Sequence, residues 1–181
     1  MKKVVSVVGM AGAGKSEVAR VFQENGFTSI RFGDITDEEV RKQGLELNEE
    51  NERRVRELLR QEYGMNAYAL LNLPKIDLAR KNSDVVIDGL YSWEEYLFLK
   101  EHLEKDFYVV AVAASPKTRY RRLAIRLKRG LTPKVSASRD RAEIENINKG
   151  GPIAMADFTI VNEASLRDIR RDVEGIIATL R

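Results

Sequence analysis

The sequence predicts an α/β fold of three layers, with a five-stranded parallel sheet between two layers of helices and a helical lid at one end. Three observations lead there. Short β-branched apolar runs without polar alternation, at 4–8, 85–87 and 107–113, suit strands buried on both faces. Helical stretches separate these runs, the alternation that gives a parallel sheet. A glycine-rich turn, G-M-A-G-A-G-K-S at 9–16, follows the first strand directly and opens a helix.

In chain order, the amphipathic run with Val18, Ala19, Val21 and Phe22 makes a first helix that Gly26 ends, and residues 27–32 make a second strand closing on Gly33-Asp34. Residues 36–81 read as a helical insertion on the acceptor side, with helices at about 37–43, 49–63 and 66–81 and with Gly44, Gly64 and Pro74 as punctuation. Acids at 49–52 suit the positive end of the middle helix. A third strand at 84–89 ends on Asp88. A helix at 92–103 has Trp93, Tyr96, Leu97 and Leu99 on its apolar side, and a strand follows at 107–113. Ser115-Pro116 opens a long basic helix, which Gly130 and Pro133 interrupt before a second charged helix at about 138–148. Together these form a basic lid at about 117–149. Gly150-Gly151-Pro152 reads as a hinge, 158–161 as the last strand, and Ser165 as the start of the closing helix.

With 181 residues, 43% of them hydrophobic and 33% charged, the chain fits one domain with a substantial core. No apolar run approaches the roughly 20 residues of a membrane helix, and Met1-Lys2-Lys3 leads into a strand rather than a signal peptide. The absence of cysteine leaves no disulfide framework or thiolate metal site, which suits a cytoplasmic protein. The net charge of +3 is unevenly spread. Residues 115–141 carry ten basic side chains and one acid, Asp140, which leaves the remainder of the chain at −6. This pattern points to a polyanion met locally. Of the aromatics only Tyr120 lies among the basic residues, so the interleaving expected of a nucleic-acid surface is missing.

The turn at 9–16 fits the phosphate-loop pattern. Its residues, Gly9, Met10, Ala11, Gly12, Ala13, Gly14, Lys15 and Ser16, with Glu17 next in the helix, are the nucleotide-binding candidates. Glycines let successive amides converge on phosphate oxygens at a helix start. Lys15 supplies a cation for the β and γ phosphates, and Ser16 a hydroxyl ligand for Mg²⁺. Open parallel sheets bind ligands beyond the carboxyl ends of their strands, which brings Asp34 and Asp88 to the same edge. Asp88 suits the metal shell or the phosphoryl acceptor, or a turn cap. Asp34 suits the acceptor hydroxyl or a helix cap. In Arg119-x-x-Arg122-x-x-x-Arg126 the spacing puts three guanidinium groups on one helical face, which suits neutralising phosphoryl charge under a lid or else a solvated face. Arg139 and Arg141 add to the lid.

With these residues in place the chain resembles the P-loop nucleoside monophosphate kinase superfamily, nearest its adenylate-kinase-related and dephospho-CoA-kinase-like branch. The parts that match are the loop at 9–16, Gly33-Asp34, Val85-Val86-Ile87-Asp88-Gly89, the arginine helix, Ser138-Arg139-Asp140 and the stretch 156–162. The resemblance implies the P-loop NTPase fold, with ATP held between the loop, Arg122 or Arg126, and Asn162 beside the adenine. Familiar adenylate kinases follow their Gly-Asp with an arginine that grips the AMP phosphate, whereas this chain has Ile35-Thr36-Asp37-Glu38, and the nearest candidates are Arg31, Arg41 and Arg60. The expected activity is ATP- and Mg²⁺-dependent phosphoryl transfer to a small nucleotide-like acceptor, a nucleoside monophosphate or dephospho-CoA type, by a monomer or homodimer. Lys15, Asp88, Arg122, Arg126 and Arg139 are the catalytic candidates, Ser16 and Asp88 the metal ligands, and Asp34, Arg41 and Arg60 the acceptor contacts. The alternative expectation is a nucleotide-binding regulatory ATPase or partner-binding protein without a small-molecule acceptor.

Overall fold

The computed structural model describes residues 2–126 and 130–181; Lys128 and Arg129 of the basic segment lie outside the described residues. Strands β1 (Val4–Val8), β2 (Thr28–Arg31), β3 (Val85–Asp88), β4 (Phe107–Ala113) and β5 (Phe158–Val161) form one sheet in the order β2-β3-β1-β4-β5, and every neighbouring pair is parallel. The expected fold class is the observed one. Central β1 pairs with β3 on one side and β4 on the other, and all five of its residues are buried, which is why its sequence shows no alternation. At the edges, β2 and β5 carry exposed Thr28, Ser29 and Thr159.

Successive residues of β1 feed opposite layers. Val4 and Val8 join a core with Ile87, Phe107, Tyr68 and Leu99, whereas Val5 and Val7 join Val18, Phe22, Ile169, Val173 and Ile177. The second layer is built by α1 (Lys15–Glu24) and α9 (Leu166–Leu180), and α9 starts at a capping box between Ser165 and Asp168. The first is built by α3 (Glu49–Tyr63), α4 (Ala67–Ala79) and α5 (Trp93–Leu103), with α2 (Asp34–Lys42) leading into them.

Several sequence expectations are corrected here. The helix expected from 37 begins at Asp34. Pro74 lies inside α4, where burial of Tyr68, Ala69, Asn72 and Ile76 sustains the helix past the lost N–H. Leu97 is exposed, because α5 buries Tyr96, Leu99 and Leu103, and Leu97 falls off that stripe. The basic helix α6 (Pro116–Ala124) ends before Arg126. Helix α7 (Pro133–Glu145) begins five residues earlier than expected, because Thr132 caps it and Pro133 occupies its first turn. The stretch 150–152, expected to be a hinge, starts the short helix α8 (Gly150–Ala154). Its Gly151 lies against Trp93, where a Cβ would come within 2.6 Å of the indole ring. Close packing of α8 on Trp93, rather than freedom to bend, explains that glycine.

Candidate functional site

The loop between β1 and α1 lies at the carboxyl end of the sheet, where Val7 of β1 and Arg31 of β2 both stand opposite Asp88 of β3. Gly14 takes the left-handed conformation, φ 103°, at the start of α1. A side chain there would be strained, and its Cβ would collide with Nδ2 of Asn162. The loop is supported through its carbonyls. Arg119 donates Nη1–H to Ala11 O at 3.2 Å, and Asn162 donates Nδ2–H to Ala13 O at 2.7 Å. Because a trans peptide is planar, carbonyls held in this way turn the N–H groups of Gly12 and Gly14 to the other side of the loop. Lys15 folds back to donate to Gly9 O at 2.9 Å and Met10 O at 3.3 Å. Burial pushes its ammonium down to about 7. Lys149 and Arg139 add repulsion, and Glu143 and Asp88 act in the opposite direction. Glu17 instead turns outward to Arg20, and its amide bonds Gly14 O inside the helix.

Ser16 Oγ donates to Asp88 Oδ2 at 2.8 Å, joining the first turn of α1 to the end of β3. A hydroxyl and one carboxylate are hard oxygen donors. They suit Mg²⁺, which keeps waters and takes substrate phosphates rather than an all-protein cage. Among the described residues no group of three or more His, Cys, Asp or Glu is placed to hold a metal ion, so a shared phosphate–protein site is the kind these residues fit.

The arginine face divides. Arg119 is buried in a two-bond pair with Asp140, at 2.9 and 2.7 Å, and Asp140 also accepts from the Tyr120 hydroxyl at 2.9 Å. Arg119 therefore ties α6 to α7 and to the loop. Arg126 lies exposed beyond the end of α6. Arg122 is linked to the loop through Asn162: its Nη2 donates to Asn162 Oδ1 at 3.2 Å, while its Nη1 is buried without a hydrogen-bond partner. Asn162, assigned by resemblance to the border of the adenine, here bridges the loop to Arg122. Arg139 pairs with Glu143 at 3.1 Å and with Glu49 of α3 at 2.9 Å, linking α7 to α3, and Arg141 is exposed against Glu145.

Three charged groups at this end escaped the sequence reading. Lys149 is 1% exposed, with Nζ 2.7 Å from Glu143 Oε2 and 5.4 Å from the Tyr91 ring centroid. Burial would raise the Glu143 carboxyl, but Lys149, Arg139 and Lys15 hold it down at about 2. Glu95 accepts from the Tyr91 and Ser92 amides, and burial pushes it up to about 7. A charge run gave no signal for Lys149, since it is a single lysine before two glycines and only the turn after α7 carries it inward. The depressed Glu143 carboxyl contributes stability above its ordinary value of 4.5 and loses it as pH falls through 4.5 towards about 2. Glu143→Gln is expected to cost on the order of 2–3 kcal/mol at neutral pH. Denaturant melts should show that gap narrowing below pH 4.5, and a gap independent of pH would contradict the assignment.

Of the acceptor candidates, Asp34 receives Arg31 Nη1 at 2.6 Å, and Arg31 also donates to Asp37 at 3.0 Å. Arg31 is thus engaged within its own turn. Arg41 is exposed in the last turn of α2, about two helical turns from Asp34. Arg60 alone turns inward, its guanidinium 5.4 Å from the Tyr68 ring centroid and its Nε buried without a hydrogen-bond partner.

The fold and the phosphate loop are those of a P-loop NTPase domain. Residues 5–146 match the family described as AAA domain, and the chain belongs to it and, more narrowly, to the UPF0200 proteins. It is 39% identical over 178 residues to UPF0200 protein TK1334 of Thermococcus kodakarensis, covering 96% of each chain. Its identity to the UPF0200 protein PF1294 of Pyrococcus furiosus is 35% over 182 residues, covering 98% of this chain and 97% of that one. A gluconokinase from Sinorhizobium meliloti superposes with a TM-score of 0.62 at 14% identity, covering 98% of this chain and 93% of that one. TT1252 from Thermus thermophilus gives 0.62 at 20% identity, covering 99% and 98%; at these identities the likeness is one of fold. Among the described residues no helix is long and apolar enough to cross a membrane.

Proposed function

We propose that this protein is a kinase that transfers the γ-phosphoryl group of ATP, with Mg²⁺, to a small nucleotide-like acceptor. The observation that carries the reading is the buried, unpartnered Nη1 of Arg122, held by Asn162 beside the loop on which the Lys15 ammonium rests. A buried cationic donor without an acceptor is costly, and a phosphate oxygen would relieve it. Lys15 would leave the Gly9 and Met10 carbonyls for the β and γ phosphates, and Arg122 would neutralise charge on the transferred group. Ser16 and Asp88 would hold Mg²⁺, which when bound supplies Lewis-acid neutralisation of the phosphate oxygens.

In the transfer, the bond from the γ phosphorus to the bridging oxygen breaks as the bond to the acceptor oxygen forms. A phosphate acceptor brings no proton, whereas a hydroxyl acceptor passes its proton to a carboxylate at the strand ends, Asp88 or Asp34. The buried Nε of Arg60 supports an anionic acceptor group on the side of α3 and α4. A panel of nucleoside monophosphates and dephospho-CoA, incubated with Mg·ATP and followed by ADP release and product mass, tests the reading. Phosphorylation of an acceptor is the expected result. ATP hydrolysis without transfer to any anionic acceptor would contradict it.

A further inference from the structure

We propose that Lys149 is a phosphate-binding cation of this site, held on Glu143 until a phosphate oxygen takes the carboxylate's place. This inference rests on the reading that the loop at 9–16 holds a nucleoside triphosphate.

The turn that carries Lys149 is fixed before any ligand arrives. Its amide donates to Glu143 O at 3.2 Å, and the Trp93 amide donates to Ile147 O at 3.3 Å, which pins the end of α7 to the start of α5. The side chain then runs inward over Tyr91. The Tyr91 hydroxyl lies where a Cβ on Gly89, the residue after Asp88, would sit at 2.6 Å. Lys149 thereby lies over the Tyr91 ring, whose hydroxyl packs on the turn that follows Asp88. It is among the charges that act on Lys15.

An ammonium has three donors, and here one of them meets Glu143 Oε2 while the Tyr91 ring covers another side. Lys15, Lys149, Arg122 and Arg139 share this end of the sheet with Glu143, Asp88 and Glu95, and Glu49 is shared between Arg139 and Arg56. A purely structural pair would not need to sit beside Lys15, where its ammonium lowers the affinity of Lys15 for its own proton. Buried ion pairs are also commonly replaceable by apolar side chains of similar size without loss of stability. Both points favour a ligand as the reason for Lys149.

The test uses the double variant Lys149→Met/Glu143→Met, which removes both charges and leaves no buried ion unpaired. Mg·ATP and Mg·ADP binding by titration calorimetry is compared with wild type, alongside thermal melting. The expected result is a folded variant whose ATP affinity falls about tenfold or more, as loss of a charge-assisted phosphate contact implies. A folded double variant with wild-type ATP affinity would overturn the inference and leave the reading of the loop intact. Wild-type protein that binds no ATP would overturn that reading and this inference together. If the double variant fails to fold, Glu143→Gln decides: freeing Lys149 should tighten ATP binding by about threefold or more. Unchanged or weaker binding by Glu143→Gln would then overturn the inference.

Discussion

Lys15→Ala is expected to lower phosphoryl transfer by roughly two orders of magnitude or more, the range found when one preorganised charge-stabilising donor is removed. Folding should survive. Among the described residues the ammonium bonds to the Gly9 and Met10 carbonyls, and burial and the Lys149 charge both work against its own charge. Loss of this group relieves a desolvated cation, so the melting temperature should hold or rise while turnover collapses. Steady-state ADP release and a thermal melt on one preparation separate the two effects. Normal turnover by the variant would remove Lys15 from the chemistry.

Arg119→Met is expected to destabilise the protein by about 3–5 kcal/mol, because breaking one side of a buried pair leaves the other charge uncompensated. Asp140 would keep the Tyr120 hydroxyl but lose both guanidinium bonds, and Ala11 O would lose its support. The neighbouring change Arg121→Ala, at an exposed position of the same helix, should stay within about 0.5 kcal/mol. Urea unfolding with an unchanged slope measures both. Equal effects at the two positions would show that burial of Arg119 is not what anchors the lid. Asp140, the one acid of the 115–141 segment, is thus the partner around which two lid helices close.

The parts of the fold legible in sequence were those set by local pattern. β1 and β4 were read from continuous apolar runs because both faces of each are covered, and 9–16 was read because a phosphate loop needs its glycines and lysine at fixed offsets. Local punctuation misled where tertiary contact overrides it. Pro133 looks like a break and is a first-turn residue under a Thr132 cap, while Gly151 looks like a hinge and makes room for Trp93. Of the three arginines expected on one helical face, Arg119 and Arg122 lie in α6, and Arg126 lies beyond its end. The spacing cannot reveal that Asp140, 21 residues on from Arg119, pairs with Arg119, which also holds Ala11 O of the loop, while Arg122 turns to Asn162. Lys149 and Glu143 were illegible for the same reason: their pairing depends on where a turn leads the chain, which no periodicity records.

The terminal phosphate of ATP is expected between Lys15 and Arg122. A structure of the protein with a non-hydrolysable ATP analogue and Mg²⁺ measures this directly. The predicted result places the γ-phosphate against Lys15 Nζ, released from the Gly9 and Met10 carbonyls, and against Arg122 Nη1, with the metal between Ser16 and Asp88. A nucleotide bound with Lys15 still on those carbonyls and Arg122 Nη1 still without a partner would contradict it.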